Sequence, residues 1–167
     1  MIQLAQGNIA EQDLDAIVNA ANSTLLGGGG VDGAIHRAAG RDLLEECRAL
    51  GGCPTGEARI TAGYRLPARH VIHTVGPVWY GGSRGEPDLL RSCYIKSLDL
   101  AAKHGLSSVA FPSISTGAYG YPIESASAVA ITTVKQWLED PRSVTLVRLV
   151  CFSEEDYEVY EGLVSGE

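Results

Sequence analysis

The chain has 167 residues, 45% of them hydrophobic, with 20 Asp and Glu against 13 Lys and Arg and a formal charge of −7. That length and apolar content suit one domain over residues 1–167, able to bury a core without disulfide or metal staples. The acidic balance speaks against nucleic-acid partners, which need clustered Lys and Arg, but leaves room for a small anion held by backbone N–H groups.

Residues 2–5 read as a first strand, stopped by Gly7, and residues 15–20 (DAIVNA) as a second, apolar and buried. A glycine run follows at once. Residues 31–39 then carry Ala34, Ile35, Ala38 and Ala39 at helical spacing, Gly40 stops that helix, and residues 41–50 form another. Residues 51–56 are turn-rich around Cys53-Pro54, and 58–62 and 70–74 read as strands. Residues 80–87 (YGGSRGEP) are expected to be a flexible loop, and Asp88 to N-cap a helix that runs to about His104 and ends at Gly105. A strand over 108–112, a second small-residue loop over 113–122, a helix over 123–138, a strand over 144–152 and a helix over 154–163 complete the chain. Strands that alternate with helices imply helical layers on a central sheet. Cys47, Cys53, Cys93 and Cys151 form no CxxC pair and no metal-like spacing with a histidine. They read as buried thiols in a reducing cytosol. No basic leader opens the chain and no stretch is long enough to span a bilayer, so a cytoplasmic protein without a membrane partner is expected.

Ligands in such sheets sit beyond the carboxyl ends of the strands. Two loops leave strand ends and are rich in small residues, 22–33 and 113–120. Small residues admit a ligand close to the backbone, and glycine reaches conformations that align successive N–H groups. A helix starts after each loop, and its positive end attracts phosphate. Either loop alone could be a turn or a cap. Together they point to a diphosphate gripped from two sides, with residues 27–33 (GGGGVDG) as the first grip. Gly28, Gly30 and Gly33 match GxGxxG spacing, but no acidic residue ends a strand about 20 residues on, as a dinucleotide fold requires. No GxxxxGK[ST] loop is present, which speaks against NTP hydrolysis.

Asn19-Ala20-Ala21-Asn22, then GGGGVDGAIH over 27–36, then STGAYGYP over 115–122 form an ordered set. This set resembles the macrodomain family, specifically its MacroD-type branch of ADP-ribose hydrolases, over residues 2–163. The resemblance implies an α/β fold, a three-layer α/β/α sandwich around a mixed, mostly parallel sheet. It also implies a protein that binds ADP-ribose, removes mono-ADP-ribose from acidic side chains of ADP-ribosylated proteins, and deacetylates O-acetyl-ADP-ribose. No metal and no cofactor are expected, and the Cys and His pattern of a separate zinc-dependent branch is not visible. The rival function is an ADP-ribose-binding module without turnover; such modules often lack Asn22 or Asp32, and both are present here. A regulator acting through protein or RNA contact is a third reading, and the net charge opposes its RNA form.

By the resemblance, Asn22 and Asp32 are the catalytic residues. The Asn22 amide, donor and acceptor at once, would hold the hydroxyls of the distal ribose, or else cap its own loop. Asp32 would activate water or orient the ribose, since a carboxylate beside a diphosphate gains proton affinity. The alternatives are a plain helix-start carboxylate, or a ligand phosphate that positions the water itself. Asn19 either orients the Asn22 loop or is structural. His36, four residues after Asp32 on the same helix face, is either a partner of Asp32 or packed.

Gly30 would approach the distal ribose, where a side chain would clash, with Ala21, Val31 and Gly33 also at the ligand. Backbone N–H groups of Ser115, Thr116, Gly117, Ala118 and Tyr119 would grip the diphosphate, with the Tyr119 ring over the ribose–phosphate region or simply packed. Gly7-Asn8-Ile9 stands where the family has Gly-Asp-Ile, whose aspartate accepts from the adenine amino group. The Asn8 carbonyl still accepts, but without charge assistance, at a loss of about 1 kcal/mol. Phe152 matches a position near the adenine or belongs to the core. His70 and His73, three apart on a strand, point to opposite faces and share no ligand. Glu154, Glu155 and Asp156 read as a helix start rather than an acid/base pair.

Overall fold

Short apolar runs pair into a sheet when both their faces can be covered. In the computed structural model, which describes residues 1–165, such runs form β1 (Ile2–Gln6), β2 (Ala16–Ala20), β3 (Ala58–Ala62), β4 (His70–Thr74), β5 (Ser108–Phe111) and β6 (Leu146–Cys151). The helices are α1 (Gly30–Ala39), α2 (Arg41–Leu50), α3 (Glu86–Lys103), α4 (Ile123–Trp137) and α5 (Glu154–Ser165), with a 3-10 turn at Ile9–Glu11 that the sequence pattern did not reveal. The strand order is β1-β6-β5-β2-β4-β3, every neighbouring pair parallel except β3 with β4. The expected mixed, mostly parallel sheet with helices on both faces is what the chain adopts.

Residues of β2 alternate between the two faces. Val18 joins Leu90, Tyr94, Phe111 and Tyr160 under α3, α4 and α5. Ile17 joins Leu25, Ile35, Leu43 and Val71 under α1 and α2. Because five strands run the same way, their carboxyl ends share one edge. The loops that follow β2, β4 and β5, neighbours in the middle of the sheet, therefore emerge side by side there.

Several boundaries differ from expectation. The first strand reaches Gln6, the second starts at Ala16, and the last spans Leu146–Cys151. Val144 is fully buried, yet its N–H turns back to Pro141 O at 3.0 Å instead of entering the ladder. Helix α3 starts at Glu86, and its N-cap is Gly85 at φ +79°, not Asp88. The cause is Glu86 itself. Its buried carboxylate accepts from the backbone N–H groups of Tyr80, Gly82 and Arg84 at 2.8, 2.9 and 2.7 Å. The segment expected to be flexible is thus tied to the helix start. Burial pushes the Glu86 pKa up, but these donors outweigh it and hold it at about 2.

Candidate functional site

The three central loops enclose a cleft of about 340 Å³. Residues 20–22 and 28–32 form one wall, Ser113, Ile114, Ser115, Gly117, Ala118 and Tyr119 the other, and Gly76 the floor between them. Neither Lys nor Arg lines it. An anion here would meet backbone N–H groups and the amino-terminal end of α1, which opens at Gly30 on the cleft wall.

Of the residues expected at the ligand, Ala21, Asn22, Gly30, Val31, Asp32, Ser115, Gly117, Ala118 and Tyr119 line this cleft. Asn8, Ile9, Gly33, Thr116 and Phe152 do not. Ile9 is buried in the core, and Asn8 Oδ1 accepts from Ala10 N at 2.9 Å, capping the 3-10 turn. A side chain on Gly33 would overlap Gly28 O, so Gly33 serves the close seating of α1 under the glycine run. Thr116 Oγ1 bonds Ser113 O and Oγ at 3.1 and 3.0 Å, which shapes the second loop from within. Phe152 is 82% exposed, which excludes the core alternative. It follows β6, whose Cys151 O accepts from Gly7 N at 2.9 Å, so Phe152 and Asn8 flank the same rim.

Asn22 and Asp32 meet over Gly28. An ideal Cβ on Gly28 would lie 3.3 Å from Asp32 Oδ2 and 3.4 Å from Asn22 Nδ2. The Asn22 amide also caps its loop: Nδ2 donates to Gly27 O at 2.9 Å, and Oδ1 accepts from Thr24 N and Oγ1 at 3.2 and 2.6 Å. The loop-capping alternative and the cleft position therefore hold together. Asp32 is buried, with Oδ1 turned inward. It accepts from Asn19 Nδ2 at 2.9 Å and lies 3.4 Å from His36 Nε2. Burial raises the Asp32 pKa, opposed by the Asn19 hydrogen bond and the His36 ring. The desolvation that raises the proton affinity of Asp32 is thus built into the fold.

Sequence reasoning missed two residues of the site. Gly76 follows β4, and an ideal Cβ there would overlap Ser115 Oγ and stand 2.6 Å from Ile114 Cγ2. Ser115 sits at φ +68° with its buried Oγ unpartnered. The same β4–α3 segment braces the second loop from outside, since Trp79 N donates to Tyr119 O at 2.9 Å and the Trp79 ring packs 4.5 Å from that of Tyr121. The other is His73, fully buried beside Asn19, its partner in the β2–β4 register. His70 lies on the opposite face near His104, as expected. The signal for His73 was register, which no local motif carries. Among the described residues, no three His, Cys, Asp or Glu side chains are grouped to hold a metal ion, and no helix is long and apolar enough to cross a membrane. All four cysteines are buried and free.

Comparison with known proteins gives consistent matches. The Macro domain family model matches residues 18–130. A Macro domain-containing protein of Chlorobaculum tepidum is 62% identical, over 96% of this chain and 94% of its own. The ADP-ribose glycohydrolase MACROD1 of Rattus norvegicus is 54% identical, over 96% of this chain and 63% of its own. The solved Trypanosoma brucei macrodomain in complex with ADP-ribose superposes at a TM-score of 0.91 with 51% identity, covering 98% of this chain and 68% of that one.

Proposed function

The chain belongs to the Macro domain family, and on that premise we propose that it binds ADP-ribose between its two small-residue loops and hydrolyses esters of it. The substrates are proteins carrying mono-ADP-ribose on acidic side chains, and O-acetyl-ADP-ribose. The backbone N–H groups of residues 115–119 and the start of α1 hold the diphosphate. The Asn22 amide orients the distal ribose, with Gly30 leaving room for it. Asn8 and Phe152, on the rim at the ends of β1 and β6, receive the adenine.

The observation that carries the reading is the convergence of Asp32 Oδ2 and Asn22 Nδ2 over Gly28, with Asp32 Oδ1 turned away into the protein. A desolvated carboxylate with one oxygen free toward the cleft can take a proton from water. The water oxygen is added to the ester, the bond between acid and ribose breaks, and ADP-ribose leaves with a free hydroxyl. Asp32 returns the proton to the departing ribose oxygen, and the newly formed carboxylic acid releases its own proton to solvent. One observation favours binding without turnover: both ends of the Asn22 amide are engaged within its own loop. The two readings separate in one experiment. The protein is incubated with an Asp/Glu-ADP-ribosylated substrate and, separately, with O-acetyl-ADP-ribose, and free ADP-ribose is followed by mass spectrometry. Binding without release would leave the non-catalytic reading standing.

A further inference from the structure

A buried hydrogen-bond chain runs from the cleft into the protein. Asn19 Nδ2 donates to Asp32 Oδ1 at 2.9 Å, and the same nitrogen lies 3.1 Å from His73 Nδ1. His73 Nε2 lies 3.0 Å from Thr61 Oγ1, which donates to Ala62 O at 3.1 Å. Counting donors assigns the protons. The single hydroxyl hydrogen of Thr61 goes to Ala62 O, so Thr61 Oγ1 accepts from His73 Nε2–H. Burial, helped by the nearby His36, pushes the His73 pKa down to about 3, so the ring is neutral and Nδ1 presents a lone pair. That lone pair accepts one Asn19 N–H, and the other points at Asp32. Asn19 Oδ1 is left buried without a partner. Flipping the amide would set its oxygen against a carboxylate oxygen and a ring lone pair together. The orientation is therefore imposed by Asp32 and His73 together, at the expense of an unpaired oxygen.

We propose that Thr61, His73 and Asn19 are positioning residues that lock Asp32 with Oδ1 inward and Oδ2 toward the cleft. The proposal rests on the reading of Asp32 as the base of the hydrolase. The groups facing this carboxylate are His36 on α1, His73 on β4 through Asn19, and Cys47 on α2, whose Sγ lies 3.7 Å from His73 Nε2. Burial raises the Asp32 pKa and the Asn19 bond lowers it. Burial already holds the Asp32 pKa up, and losing that bond leaves it less opposed, so a base that must be ionised stops working at a higher pH.

The test is kcat against pH, from about pH 5 to 8, for the intact protein, Asn19→Leu, His73→Leu and His73→Asn. In both leucine variants the acid limb should move up by about one pH unit, with about a tenfold loss of kcat on that limb. Affinity for ADP-ribose should stay within about twofold in both. His73→Asn, whose side-chain oxygen replaces Nδ1 as acceptor, should restore the limb. An unmoved limb in a folded His73→Leu protein overturns the proposal. Should the leucine variants fail to fold, long-range 1H–15N NMR on the unmodified protein decides. A neutral His73 protonated on Nε2 is required, and a proton on Nδ1 overturns the chain. This readout is independent of turnover: full activity in Asp32→Asn would sink the base reading while leaving the tautomer assignment to stand or fall on the NMR.

Discussion

Replacing Gly76 with alanine tests whether the two walls of the cleft are held at contact distance. The new methyl would overlap Ser115 Oγ and press on Ile114 Cγ2 at 2.6 Å. Neither neighbour yields easily. Ile114 is 1% exposed and part of the core, and Ser115 already occupies φ +68°. The second loop must therefore shift as a unit. Overpacking of this kind costs about 1–3 kcal/mol, which for a chain of this size lowers Tm by roughly 3–10 °C. Because the displaced backbone carries the proposed diphosphate donors, affinity for ADP-ribose should fall by about tenfold or more, the equivalent of one or two hydrogen bonds to a charged group. Differential scanning calorimetry and isothermal titration calorimetry measure the two effects on one sample. Adding Ser115→Ala removes the Oγ overlap but not the Ile114 contact, so the double variant should recover only part of each loss. A Gly76→Ala protein that melts and binds like its parent would refute the packing on which the site is built.

Three further outcomes are expected. Asn8→Asp should tighten ADP-ribose binding several-fold in calorimetry, worth about 1 kcal/mol, because it adds charge to the acceptor while keeping the cap on Ala10 N; unchanged or weaker binding would remove Asn8 from the adenine site. Gly30→Glu should abolish binding, since its side chain enters open space on the cleft wall, and should lower Tm by only a few degrees, about 1 kcal/mol for placing a non-glycine residue at φ +57°; retained affinity would contradict the steric role. Glu86 has its pKa lowered from 4.5 to about 2, so its stabilisation is full above pH 4.5 and fades as pH falls toward 2. Glu86→Gln should therefore melt lower than the parent at neutral pH and converge with it in acid, and a gap that persists undiminished in acid would rule this out.

Much of the fold was legible because burial leaves its mark on composition. Residues 16–20 and 70–74 are largely buried and centre on the apolar Ala16-Ile17-Val18 and Val71-Ile72, while glycines punctuate the helices. What stayed hidden depends on partners distant in the chain. Val144 is as apolar as a strand residue, but its N–H is taken by a turn. Glu86 opens α3 only because the loop before it folds back onto its carboxylate. In the site, the glycine run and the Asn22 and Asp32 pair stood out locally, being crowded into a few residues. Gly76 and His73 did not, since one is defined by what it must not touch and the other by strand register. Asn19, left between an orienting and a structural role, bonds both Asp32 and His73, and that bridge is invisible without the β2–β4 pairing. Phe152 was ambiguous for a plainer reason: aromatic residues serve cores and rims alike, and only its exposure decides.

The central claim is that Asp32 performs the chemistry on an ester that the rest of the cleft merely holds. Release of ADP-ribose from an Asp/Glu-ADP-ribosylated protein, followed by mass spectrometry beside calorimetry of ADP-ribose binding, measures both halves on the parent and on Asp32→Ala. Turnover by the parent, and its loss in Asp32→Ala with ADP-ribose affinity retained, is the predicted result; undiminished turnover in the variant would contradict it.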